Sequence, residues 1–471
     1  MYPAQTSFIP VQIALARWLN FNGWREVFTG NYPYWYLGTT PYRYLTGPVM
    51  PGLLVALDRL LGDWSWFDLM WLVMGISWLV GVAGVYWLVR ELGGEKKAGM
   101  VSGLFYALGW FSIWSLAMTD GLSLVSFSGL VYVLVLQVKL LKEYSWKRLI
   151  SLAITISFVL LLNSLILPSL VLGMIVIVLA SGQWNKANQR IKQVVKALFG
   201  GWLIATLWYG LGYWWQLILA PSFAGKSLFK VVGQVMQLLP IGLAFGLAIV
   251  SGRMMKLKTK LARFIFYWLF VFGFLSLIRF LSDPDFWMDW IAYGLELQLG
   301  LGLLIGQWLL KKRQGVGRIL KSVLIGLWLG VWVFLVKDRV IGSLRQEIRG
   351  TVEYRIGWIL SAIVGDKEKV FLSGSSVFWL NSWFDVSQVR GGVDKGSVNA
   401  NWRELAWEVR EGNDGEKAVK VLKQMEVDWL VVHTSESEEY YGDFVEPDKF
   451  EGIQGLRKIY DEQGDRIYKI R

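Results

Sequence analysis

Basic residues in this chain fall into alternate gaps between apolar segments, and that alternation constrains its architecture more than any motif does. Ten apolar segments run from about Asp68 to Lys337. Arg90, Lys96 and Lys97 fill the first gap, and Thr119-Asp120 the second. Lys139, Lys142, Lys147 and Arg148 fill the third, while the fourth holds only Asn163 and Ser164. Lys186, Arg190, Lys192 and Lys196 come next, then a long gap with only Lys226 and Lys230. Arg253, Lys256, Lys258, Lys260 and Arg263 follow, then the acidic SDPDFWMDW, then Lys311, Lys312, Arg313, Arg318 and Lys321. Five gaps thus hold 21 Lys/Arg and the other four hold two. Basic loops stay on the cytoplasmic side of a membrane, so the alternation assigns every turn. Residues 1–67 and 338–471 both fall on the non-cytoplasmic side.

Composition agrees. At 54% hydrophobic residues, 28 Trp and a mean hydropathy of +0.42, the chain is too apolar for a soluble protein of 471 residues. The net charge of +12 is unevenly placed: residues 1–337 carry 29 Lys/Arg against 12 Asp/Glu, residues 338–471 carry 19 against 24. The excess belongs to loops facing an anionic leaflet, so membrane lipid and not nucleic acid is the expected partner. The absence of Cys excludes disulfides, thiolate metal sites and Cys nucleophiles.

The expected architecture is an α-helical polytopic membrane protein with a small extracytoplasmic α/β domain at its C-terminus. Spans are expected at 68–90, 99–117, 121–141, 148–163, 165–181, 198–219, 231–251, 261–281, 291–310 and 319–337, since about 20 residues cross a bilayer. Residues 148–181 could be one kinked helix, but a single span would place the later basic gaps outside. Pro168 also suits a helix start better than a middle. Residues 1–67 form an outer aromatic loop, with a short amphipathic helix at Ser7–Asn20 presenting Ile9, Ile13, Leu15, Ala16 and Leu19. They lack the pattern of a signal peptide, and an outward start without a preceding span suggests a helix upstream of Met1. In 338–471, Val340–Trp358 reads as a helix continuing off the last span. VFLSG (370–374), DWLVVHT (428–434) and DRIYKIR (465–471) read as strands, and 415–427 as a helix.

Candidate chemistry concentrates at the outer face, where ionisable groups beside a bilayer are costly without a role. Asp120 precedes Gly121 and suits either catalysis or a helix cap. Asp283, Asp285 and Asp289 lie in one short loop with the spacing to share a divalent cation such as Mg or Mn, or form a solvated turn with interfacial aromatics. Arg279 lies a turn before that loop, and Glu296, inside the ninth span, is a candidate to pair with it. Tyr32, Tyr34, Trp35, Tyr36, Tyr42 and Tyr44 with Arg43 suit sugar stacking or a phosphate contact, although aromatics also populate membrane interfaces. His433, the only His, cannot build a metal site, and no nucleophile elbow is present. GGVDKGSVN (391–399) could hold a ligand through backbone N–H groups or be a plain loop. No phosphate-binding loop motif or buried proton relay marks a pump or coupled transporter.

These features together resemble the GT-C glycosyltransferase superfamily of multi-span membrane proteins. Most similar are the bacterial and archaeal members related to 6-pyruvoyl-tetrahydropterin synthase and the neighbouring YfhO-like proteins. The resemblance rests on the outer loop YPYW…GPVMPGLL, the serial spans with Asp120 in the second outer loop, SDPDFWMDW, and an outward domain opening VFLSGSS. It implies a lipid-linked sugar donor, typically a polyprenyl phosphate sugar, and transfer to a glycan, lipid or protein acceptor outside the plasma membrane. It places Asp120 at the second outer acid. The family's first-loop acid has no counterpart here, because no carboxylate precedes Glu26. That departure favours, as the alternative, a non-catalytic protein that binds or moves a lipid-linked glycan.

Overall fold

The computed structural model describes residues 8–117, 121–182, 187–219, 239–255, 257–282, 291–310, 347–399 and 402–471, with isolated positions at 236, 326, 330 and 333. It divides into two compact units. The first joins Met1–Met70, Leu211–Ser227 and Gly342–Arg471; the second joins Trp71–Gly210 and Leu228–Ile341.

The helices up to the first break in description are α1 (Phe8–Thr29), α2 (Tyr42–Leu45), α3 (Val49–Leu61), α4 (Trp66–Glu91), α5 (Lys96–Ala107) and α6 (Trp110–Ala117). Next come α7 (Gly121–Lys142), α8 (Trp146–Leu162), α9 (Leu167–Ala180), α10 (Ala187–Tyr209), α11 (Leu211–Leu219), α12 (Leu239–Met254), α13 (Lys260–Ser282) and α14 (Ile291–Leu310). The C-terminal segment adds α15 (Val352–Ile363), β1 (Lys369–Phe371), α16 (Ser376–Trp383), β2 (Ser387–Gln388), α17 (Trp402–Glu411), α18 (Gly415–Gln424), β3 (Trp429–His433), β4 (Leu456–Glu462) and β5 (Asp465–Ile470).

In the first unit a sheet of order β2-β1-β3-β5-β4 is parallel at β2-β1-β3 and antiparallel at β3-β5-β4. Val370, Leu372, Val431 and Ile467 from the sheet pack with Ile356, Leu360, Val377 and Leu380 from helices. The three expected strands are present. β2 has only two residues and β4 is an exposed edge, LRKIYDE, polar on both faces and so without the alternation that marks a strand. The expected helix Val340–Trp358 is corrected. Thr351 caps a new start by accepting from the Tyr354 N–H, and α15 runs past Trp358 to Ile363. A further clamp joins strands to α15: buried Asp465 meets His433 Nδ1 at 2.8 Å, Arg355 Nη2 at 2.6 Å and Ser437 Oγ at 2.6 Å. Burial pushes the Asp465 carboxyl up, but these partners outweigh it and hold it below the usual range.

The second unit is a helical bundle. Among the described residues three helices are long and apolar enough to cross a membrane: Trp66–Glu91, Leu122–Lys142 and Lys260–Leu277. A fourth arises if α10 and α11 count as one broken span. Residues 148–181 are two helices as expected. Asn163 leaves the helical region at φ −154°, its side chain accepts from the Leu165 N–H, and Pro168 sits in the first turn of α9. Two expected spans are interrupted. Segment 99–117 breaks at Leu108-Gly109, where Gln298 of α14 donates to Tyr106 O (2.7 Å) and Ser112 Oγ (2.6 Å) and accepts from the Phe111 N–H (2.6 Å). The amide satisfies the backbone groups that the break frees. Segment 198–219 breaks at Gly210, which takes φ 77°. The span expected at 319–337 lies outside the described residues.

Candidate functional site

The N-terminal aromatic loop is built as a core. Helix α1 is buried all round from Ile9 to Ala16, which corrects the amphipathic expectation. It kinks at Gly23, where φ is 80°. Trp18 stacks on Tyr42 at 5.3 Å, and Tyr32 meets Trp18, Tyr34 and Trp35 edge-on. Trp35, fully buried, donates from Nε1 to Asn381 Oδ1 at 2.8 Å, and Tyr36 donates to Asp394 at 2.9 Å. The GGVDKGSVN loop serves this packing. A Cβ on Gly391 would lie 2.5 Å from the Trp35 ring, and the Val393 N–H donates to Tyr36 Oη. Its backbone is therefore engaged within the protein.

Beside this core lies a cavity of about 610 Å³. Trp18, Phe21, Tyr34 and Trp66 give it aromatic faces, and Asn20, Asn22 and Asn31 give it amides. Arg17, Glu26 and Asp385 supply charge. Residues 20–22 of the wall lie just before the kink of α1. Arg17 is oriented by a hydrogen bond to Asn381 O at 3.2 Å and by Asp385 at 3.8 Å. Burial raises the Tyr34 phenol and Asp385 raises it further, against a lowering by Arg17, so the hydroxyl stays a donor at neutral pH. Stacking faces beside amide and carboxylate partners match a polyhydroxylated ring, which offers C–H faces and a rim of hydroxyls.

No protein-family model matches the sequence, and no curated protein matches it. Solved structures do. ArnT from Cupriavidus metallidurans in the apo state matches with a TM-score of 0.51 and 11% identity, over 99% of this chain and 95% of that one. The same protein bound to undecaprenyl phosphate matches with the same score, identity and coverage. The chain has an ArnT-like fold. At this identity the likeness establishes the fold alone and leaves substrate and acceptor to be argued.

The structure places the expected residues unequally. Tyr34 lines the cavity, whereas Trp35 is in the core behind it. Arg43 lies over the Phe28 and Tyr44 rings, 5.7 and 5.9 Å from their centroids. Glu296 is 1% exposed in α14 with Oε2 unpartnered, while its carbonyl accepts from Trp268 Nε1 at 2.6 Å. Asp120, Asp283, Asp285 and Asp289 lie outside the described residues, as does the side chain of Arg279. Among the described residues no cluster of three His, Cys, Asp or Glu could hold a metal. Among the cavity residues that sequence reasoning missed are Arg17, Asn22, Trp66 and Asp385. Asn-Phe-Asn-Gly at 20–23 carried a break signal within a helical pattern; Asp385 had no local signal at all.

Proposed function

We propose that the protein transfers a sugar from a polyprenyl-phosphate donor to a glycan, lipid or protein acceptor on the outer side of a bacterial or archaeal plasma membrane. The observation that most supports this reading is the likeness over 99% of the chain to ArnT, which has been solved with undecaprenyl phosphate bound. The cavity beside Tyr34 offers a place for a sugar ring. Asp120 acts as general base: it takes the proton of the acceptor hydroxyl, whose oxygen attacks the anomeric carbon. The bond from that carbon to the phosphate oxygen breaks, and polyprenyl phosphate leaves. Asp283, Asp285 and Asp289 would hold a Mg or Mn ion, whose chemistry there is to neutralise the leaving phosphate. Arg279 adds positive charge for the same phosphate, and Glu296 orients Arg279.

A second reading, a protein that binds or moves a lipid-linked glycan, is favoured by the engagement of Asp385 with Arg17, which leaves the cavity better suited to holding than to proton transfer. Transfer of labelled sugar from a polyprenyl-phosphate donor in proteoliposomes separates the two. Asp120→Asn should lower transfer by about 10²–10⁴-fold, the usual worth of a general base, while donor binding persists. Asp385→Asn should weaken sugar binding without changing insertion. Wild-type protein that binds donor but transfers nothing would reject the enzyme in favour of the binder.

A further inference from the structure

Helices α7, α10 and α13 of the second unit bring cations from three separate basic gaps to one small cleft. Lys142, Arg190 and Lys260 line it together with Leu92, Val138 and Ile177. Lys260 lies within electrostatic reach of Lys142, Arg190 and Arg263. The Arg263 guanidinium covers Gly182, where a Cβ would stand 1.6 Å from Nη1, next to Ser181 of the cleft wall. Arg190 is only 8% exposed.

Four like charges gathered in a half-buried notch repel one another and lose hydration, so the arrangement is costly unless an anion completes it. Around Lys142, Lys260 and Arg263 the described residues supply little of that anion. Glu91 bonds Lys142 at 2.6 Å and is shared with Lys139 at 3.9 Å. Lys260 and Arg263 form no ion pair among the described residues, and Arg263 Nε is buried without a partner. The helix ends of α4, α7 and α9 add only partial negative charge from their last carbonyls.

We propose that this cleft binds a phosphate monoester or diester, with the two guanidinium forks and two ammonium groups around its oxygens. The cleft holds about 20 Å³, room for one oxygen-sized group, so the rest of the phosphate sits at the mouth. Leu92, Val138 and Ile177 give an apolar wall beside it, which suits the glycerol and first methylenes of an anionic phospholipid. The site is separate from the cavity at Tyr34 and does not rest on the transfer reading.

The test is native mass spectrometry of the full chain in detergent with added phosphatidylglycerol, against phosphatidylcholine. Lys260→Gln/Arg263→Gln should weaken phosphatidylglycerol retention by roughly 30-fold. Lys96→Gln/Lys97→Gln, which removes the same charge from an exposed gap, should leave it nearly unchanged. Equal loss in both variants, or loss in neither, would overturn the site. Circular dichroism checks folding, and Lys260→Gln alone, expected to lose roughly fivefold, stands in should the double variant misfold; no loss there also overturns the proposal. Competition by inorganic phosphate would assign the site to free phosphate esters, and failure to compete would assign it to the lipid headgroup.

Discussion

The two units solve the same packing problem by different contacts. The first unit is joined by directional bonds between segments far apart in sequence: Trp35 to Asn381, Tyr36 to Asp394, Arg355 to Asp465. Aromatic rings fill the spaces between. The second unit is joined by close backbone approach. A Cβ on Gly306 would lie 2.2 Å from Ser102 Oγ and 3.1 Å from Ala98 O, and one on Gly99 2.8 Å from the Tyr86 ring. Lipid tails are as apolar as Leu, so helices there gain little from burying large side chains and much from fitting small ones. In water, burial of rings and satisfaction of buried donors carry the fold.

The largest effect expected from this contrast is at Trp35. Trp35→Ala removes a fully buried indole and one of the two hydrogen bonds to Asn381 Oδ1, which should cost about 3–5 kcal/mol. Trp35→Phe, keeping most of the ring but not the donor, should cost about 1 kcal/mol. Thermal unfolding followed by near-UV circular dichroism measures both. Equal costs would mean that the Asn381 bond matters more than the ring.

Gly306→Val probes the other unit and should cost about 1–3 kcal/mol, because the added carbons meet Ser102 Oγ and, just behind it, the α5 backbone at Ser102 N and Ala98 O. Unfolding by SDS in bicelles reads this loss. A neutral result would show that α5 and α14 can separate freely and would break the contrast between the units.

What the sequence revealed follows the same division. Helix ends at 66–91, 121–142, 260–282 and 291–310 lie within two residues of the places expected for spans, because charge and hydropathy act locally. The strands at 429–433 and 465–470 were equally legible from their short runs of β-branched and aromatic residues. The break at Leu108-Gly109 was not, since it depends on Gln298, 187 residues beyond Phe111 in the chain. The cavity was half legible: Tyr34 stood out in an aromatic run, while Arg17 and Asp385 acquire their meaning only when the fold pairs them. Trp35 looked like a neighbouring site residue because a buried indole and an exposed one are the same letter.

The smallest effect separates charge from packing within the first unit. Glu368 precedes β1 and accepts from Trp429 Nε1 at 2.7 Å, from the Gly365 N–H at 3.0 Å and from Lys469. Burial pushes its carboxyl up, but the hydrogen bonds from Lys469, Trp429 and Gly365 outweigh this and lower it to about 2. A carboxyl lowered on folding stabilises the fold above its unfolded value of about 4.3, and the contribution is lost as pH falls through about 2. Its side chain is 32% exposed and mostly hydrated, so Glu368→Gln should cost only the worth of a surface pair, about 0.2–1 kcal/mol at neutral pH. The wild-type and variant melting curves should converge between about pH 4 and pH 2. A gap that stays constant down to pH 2 would show that the side chain acts through shape. The same titration applied to SDS unfolding of the helical unit should show no such convergence, because the close contacts of Gly99 and Gly306 are with groups that do not titrate in that range.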